Sequence, residues 1–470
     1  MTLLDSRGVP VSTHSREALQ HYERAVELSA GYYFDPMATI RRAIDADPDF
    51  AMGHCLQAAL VVMSTDRSLV PMLASSVEAI ETLRHANDRE RMHAAAARKW
   101  LNGDFAAAVR AYGDIVVEYP RDLLALQVAH VGDFLMGSST MLRDRIAHVL
   151  PYWDNSVPGY GFVLGMHAFG LEECAAYSQA EDTGRRALAI NPYDPWAVHA
   201  VAHVMEMTGR TREGIDWLTG RENHWAVDNG FAYHNWWHLA LYCLDIDDLD
   251  RVFDLYDRRI RPVASTAPME MVDASALLWR LQLRGVDVGP RWQELAQSWE
   301  ALAEHAYYAF NDVHAVMSFV GAQRFDLAQR TIASLEHKAI GNDTNAMMSR
   351  DVGLPLAQAL LAFGMDHYSD VINLIAPMRT IAHRFGGSHA QRDLVHLTMV
   401  EAAMRSGNAR LSRALAAERT QLKPASPFNW RLTARALDLA GDAMGAVKAR
   451  EKAEIRRKVQ TGMRQSLLAS

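Results

Sequence analysis

Pro48, Pro120 and Pro192 stand 72 residues apart, and each follows a stretch with similar punctuation. Ahead of Pro120 run Gly103-Asp104-Phe105-Ala106-Ala107-Ala108, then Tyr112 and Tyr119. Tyr177, Ala180, Ala187 and Asn191 lead to Pro192, Ala43 and Asp47 lead to Pro48, and Gly441-Asp442, Ala446 and Ala449 resume the pattern near the C-terminus. Regular spacing of this kind is the mark of stacked helix pairs. One pair cannot bury its apolar face alone, so a chain built this way must pile unit upon unit. Apolar alternation with period two never survives for more than a few residues, which leaves no place for a sheet.

The Gly, aromatic, Ala, aromatic and Pro positions match those of a tetratricopeptide repeat, and 72 residues hold two such repeats of slightly more than the standard length. The expected fold is therefore all-α: a tetratricopeptide-like α/α superhelix of about a dozen helix pairs, one domain over 1–470, with a C-terminal capping helix region at 442–470. First helices of the pairs are predicted to begin near Glu17, Phe50, Arg89, Asp122, Gly159, Pro195, Asn229, Met269, Asn311, Val352, His389 and Phe428, and to line the concave side. A superhelix closes a turn in roughly seven or eight repeats, which brings the helices near 159 and 389 together around an enclosed pocket.

A net charge of −8 and a pI near 6.2 offer no basic stripe for phosphates, so nucleic acid is not expected as a partner. Three cysteines without a CxxC exclude a disulfide framework and a thiolate zinc module. The polar start and the lack of any long apolar run point to a soluble cytoplasmic protein with no membrane contact. A small molecule or a peptide is the expected partner, and a homo-oligomer is open.

Chemistry concentrates in two histidine pairs. His199 with His203, and His234 with His238, are each four residues apart, which puts both rings of a pair on one helix face about 6 Å apart along the axis. Trp196, His199, His203 and Glu206 fall on one stripe predicted to face the groove. His167, followed by Glu172 and Glu173, sits on the helix before, and His389 follows Gly386-Gly387 on a later one. Any one histidine is most simply a hydrogen-bonded core residue. Two pairs on adjacent inner helices point instead to a divalent transition metal, zinc or iron, held by His199, His203, His234 and His238. Glu206, Glu173 and His389 are the candidate proton-handling residues. His167, Trp196, Trp237, Asp273, His314 and Asp351 are the candidate ligand-binding set. Neither pair carries a glutamate after its first histidine, and no P-loop, GxGxxG or GxSxG occurs.

Gly161 to Glu173, Trp196 to Val204, His234 to His238, Asp273 to Arg280 and Gly387 to Asp393 resemble segments of the tetratricopeptide repeat protein 38 family. The resemblance covers nearly the whole chain. It implies a helical-repeat cytosolic protein and no particular reaction. The residues themselves point first to a metal-dependent hydrolase acting on a small organic molecule inside the superhelix. The alternatives are a non-catalytic scaffold binding a peptide or partner protein, and a non-haem iron oxygenase.

Overall fold

Residues 3–462 are described by a computed structural model, in which twenty-six α-helices follow one another. The fold is all-α, a tetratricopeptide-like array of helix pairs. The first helices begin at Arg16, Ala51, Asp88, Leu123, Tyr160, Pro195, Ala232, Pro268, Ala309, Leu354, His389 and Pro427, within three residues of the starts predicted from the sequence. A small departure lies at the N-terminus, where Leu3–Leu4 pairs antiparallel with Pro10–Val11. The last described helix, Ala443–Thr461, lies in the region expected to cap the array, of which 463–470 fall outside the described residues. No described helix is long and apolar enough to cross a membrane.

Short polar residues start the helices that matter most. Asp122 accepts from the Ala125 N–H, Asp194 from the N–H groups of Trp196 and Ala197, and Ser388 forms a reciprocal box with Gln391. Each satisfies donors that a helix leaves open in its first turn, which stabilises it by about 1 kcal/mol. Small residues then let the helices close in. A Cβ on Gly170 would lie 2.3 Å from the Leu142 carbonyl oxygen, so only glycine permits that approach.

The expected open groove is filled. Every residue from Pro195 to Met205 is buried, because the inner helices carry apolar and aromatic side chains on all sides and pack against more than one layer. The array also closes upon itself. The Tyr308 hydroxyl donates to the Leu135 carbonyl at 2.9 Å, and Arg212 donates to the Thr461 carbonyl at 3.0 Å. The backbone N–H of His389 donates to Glu173 at 3.0 Å, joining the helix that begins at His389 to the one that begins at Tyr160. The two glycines before His389 make that junction possible: Gly386 has φ +92 and a Cβ there would meet the Leu135 carbonyl oxygen at 2.4 Å.

Candidate metal centre

Helices Pro195–Met207 and Ala232–Asp245 lie side by side and turn their histidine pairs toward each other. The Nε2 atom of His199 is 3.1 Å from Nε2 of His238 and 3.1 Å from Nε2 of His234. The rings of His203 and His199 are 4.4 Å apart, those of His203 and His238 4.3 Å, and all four residues offer a ring nitrogen within 4.8 Å of the others. His203 and His238 are fully buried, and His199 and His234 are 2% and 7% exposed.

Carboxylates stand behind three of these rings. Nδ1 of His234 lies 2.6 Å from Asp273, Nδ1 of His203 3.3 Å from Glu172 and Nδ1 of His238 3.4 Å from Glu206. An ionised carboxylate accepts only, so each favours the tautomer that carries its proton on Nδ1 and leaves the Nε2 lone pair facing inward. This is the arrangement by which outer carboxylates orient metal-binding imidazoles. The lone pairs then converge without enough protons to separate them. A proton on His199 Nε2 would have to serve two contacts at once, and it would leave His199 Nδ1, already without a hydrogen-bond partner, as a buried acceptor. Burial, together with the neighbouring histidines, holds His199 well below the ordinary imidazole value, and His238 likewise despite Glu206. Both rings are therefore neutral at pH 7, the form that binds metal. The Nε2 separations of 3.1 Å are close to the edge of about 3.3 Å expected when nitrogens sit about 2.05 Å from a tetrahedral ion.

The remaining predicted residues divide. Trp196 borders the histidines, its ring 5.0 Å from that of His199. Trp237 is fully buried and stacks on the ring of His234 at 5.3 Å. Asp273 orients His234. Glu206 stands on the far side of His238, in a 2.6 Å ion pair with Lys423. Burial would raise its carboxyl, but Lys423 and His238 outweigh that and hold it well below the usual range, which removes the free base expected at that position. His389 bridges Glu172 at 2.8 Å and Glu173 at 3.3 Å. Burial opposes its charge, yet the two carboxylates win and push its pKa up to about 9, so Glu173 is paired with a cation at neutral pH and is no free base either.

His167, His314 and Asp351 do not join the centre. His167 is half-buried and feels Arg143 and Arg186, because it lies about 200° around its helix from Phe169, whose ring does face His199 at 5.2 Å. His314 donates from Nδ1 to the Phe310 carbonyl at 2.7 Å and packs on that ring. Asp351 pairs with Arg384 at 2.8 Å. Among the residues that sequence reasoning missed are Phe231, whose ring is 5.2 Å from His199 and 4.9 Å from His234, and Tyr32, stacked on Trp196 at 5.5 Å. Neither carries a spacing signal, since Tyr32 comes from a distant part of the chain and Phe231 precedes its helix. Glu172, noted only as a neighbour of Glu173, is the one that reaches His203.

Comparison with known proteins finds no matching family model. The cellulose synthase 2 operon protein C of Komagataeibacter xylinus is 30% identical over 194 residues, which is 36% of this chain, and the match spans 14% of that protein's length. Among solved structures, a human IFIT1 dimer with m7Gppp-AAAA is 10% identical with a TM-score of 0.38, covering 94% of this chain and 90% of that one. A monomeric IFIT1 mutant with Gppp-AAAA is 12% identical, also at 0.38, over 92% and 99%. The successive helix pairs of the chain itself make it a tetratricopeptide-like helical-repeat protein. These IFIT1 structures hold capped RNA, which runs against the exclusion of nucleic acid drawn from net charge, and that exclusion is withdrawn. TM-scores below 0.5 assign no ligand to this chain.

Proposed function

We propose that this protein is a helical-repeat scaffold built around a late-transition-metal centre, which it presents to a small molecule. The observation that carries the reading is the convergence of the Nε2 atoms of His199, His234 and His238, with Asp273 hydrogen-bonded to Nδ1 of His234 at 2.6 Å and Glu206 3.4 Å from Nδ1 of His238. Four buried imidazoles suit zinc, iron or copper and disfavour magnesium and calcium, which prefer oxygen. His199, His234 and His238 would hold the ion, and His203 stands as the fourth donor or as the group that a bound molecule displaces. When bound, such an ion polarises an attached oxygen and lowers the pKa of an attached water.

Of the reactions expected from the sequence, hydrolysis loses its base, because Glu206 and Glu173 are both held in ion pairs. At the four-histidine cluster an iron oxygenase finds no inward-facing carboxylate, because Asp273 and Glu206 stand behind rings. The mixed histidine and carboxylate set it would use is the neighbouring group Glu172, Glu173, His203 and His389, where His389 already pairs with both carboxylates. The comparisons lean toward a scaffold over an enzyme, and the metal centre is compatible with either. The similarity to the tetratricopeptide repeat protein 38 family belongs to this reading and rests on the sequence segments that suggested it. The test is elemental analysis of the purified protein beside the double variant His199→Ala/His238→Ala. About one zinc, iron or copper per chain, lost in the variant, is expected. Less than about 0.1 per chain, with no uptake of added zinc or cobalt, would overturn the reading.

A further inference from the structure

A cavity of about 330 Å³ opens against the histidine centre, and its lining has no charged side chain. Tyr32, Trp196 and Phe231 form one wall, Leu60, Met63 and Val131 line it as well, and His199 and His234 close the inner end. The aromatic rings are mutually packed, with centroids of Tyr32 and Phe231 at 5.0 Å and of Trp196 and Phe231 at 5.1 Å, so this wall is fixed before anything binds. Its polar groups are neutral and largely spent within the protein: the Gln127 amide nitrogen donates to the Ser29 carbonyl at 2.7 Å, and the Gln391 side-chain oxygen accepts from the Ser388 N–H at 3.0 Å. The carboxylates that orient the centre lie behind the rings, away from this space, which leaves His199 and His234 as the point where the cavity meets the centre.

Resting on the metal-centre reading, we infer that the cavity takes an uncharged, largely apolar small molecule whose single polar head reaches the centre past His199 and His234. A charged ligand would give up its hydration with no counter-charge along the walls. The volume stands at the small end of ligand pockets, which suits one ring system or a short branched chain and leaves no room for a peptide.

The test uses cobalt-loaded full-length protein, whose visible ligand-field spectrum reports donors entering the centre, with imidazole, 4-phenylimidazole and imidazole-4-acetate as probes. Burial of the phenyl ring should make 4-phenylimidazole bind on the order of 10- to 100-fold more tightly than imidazole, and the anion should bind no better than imidazole. Val131→Trp, which fills the cavity away from the histidines, and Met63→Lys, which charges its wall, should each reduce that preference, and the cobalt spectrum itself reports whether the variants are folded. Equal affinities for the phenyl compound and imidazole, or tightest binding of the anion, would overturn the inference while leaving the metal reading intact. Failure to take up cobalt would instead remove the metal reading. Quenching of tryptophan fluorescence by 4-phenylimidazole then decides the cavity by itself: a preference over imidazole upholds its apolar character and no preference overturns it.

Discussion

Two buried clusters in this molecule are made of the same kinds of residue and come to opposite ends. Near the N-terminus, Arg89 donates from Nε to Asp122 at 2.6 Å and from a terminal nitrogen to the Tyr22 hydroxyl at 3.2 Å, and His93 lies 2.8 Å from the same carboxylate. One cation, one anion and one imidazole meet in complementary pairs. In the middle of the chain, carboxylates again meet histidines, but on the outer nitrogens only, and the inner nitrogens face one another. Burial is nearly total in both places, so depth does not distinguish them. What distinguishes them is how the polar groups meet. The N-terminal cluster is a structural knot that pairs a cation with an anion and leaves only Nδ1 of the His93 imidazole without a partner, whereas in the central cluster several ring nitrogens face one another with no cation among them.

That contrast yields outcomes in descending size. Arg89→Ala leaves Asp122 buried without its cation and is expected to cost about 3–5 kcal/mol in urea unfolding while leaving bound metal unchanged. A metal content that fell with Arg89 would erase the difference between the clusters. Zinc at 1,000 times its Kd should stabilise the native protein by about 4 kcal/mol, an increment absent in His199→Ala/His238→Ala; equal thermal shifts in both proteins would make the central cluster another knot. Asp273→Asn keeps the shape beside His234 but weakens the orientation of its ring. Competition with a chromophoric chelator should register a loss of about 10- to 100-fold in metal affinity, and an unchanged affinity would show that the outer carboxylate does not tune the centre.

The smallest effect is one of acidity and concerns the N-terminal knot. Burial would raise Asp122, but Arg89 and His93 outweigh it and hold the carboxyl well below the usual carboxylate range. A depressed folded value means that the unfolded chain binds the proton first. The stability gained is therefore present in full above the unfolded value of about 3.9 and is lost as pH falls below it. Unfolding midpoints of the native protein and Asp122→Asn should differ by a constant amount between about pH 8 and pH 5, and the gap should begin to narrow only below about pH 4 and go on narrowing as pH falls toward the depressed folded value. A gap that already narrows near pH 6 would contradict the pairing.

Much of the architecture was legible from punctuation. The prolines and the capping residues are local signals, and they locate helix starts such as Pro195 and His389 to the residue. The two histidine pairs were legible for the same reason, since a four-residue spacing is a property of one helix. Rotation of one helix against another was not. The sequence places His167 and Glu173 among the candidates, yet a step of one or two residues turns a side chain by about 100° or 200°, and it is Phe169 and Glu172 that reach the histidines. The walls of the cavity beside the histidines were also illegible, because Tyr32, Leu60 and Val131 arrive there from other repeats.

The contacts that close the array carry a consequence for how it comes apart. In an open stack each repeat answers only to its neighbours, and the chain melts as a one-dimensional series of nearly independent steps. Here Asn311 donates to Thr65 at 3.2 Å and Gln460 reaches back to Gly209, across separations of 246 and 251 residues. Such ties make early and late repeats conditional on each other, so folding is expected to be cooperative over long stretches and slow, with much of the entropy of ring closure spent before the last contacts form.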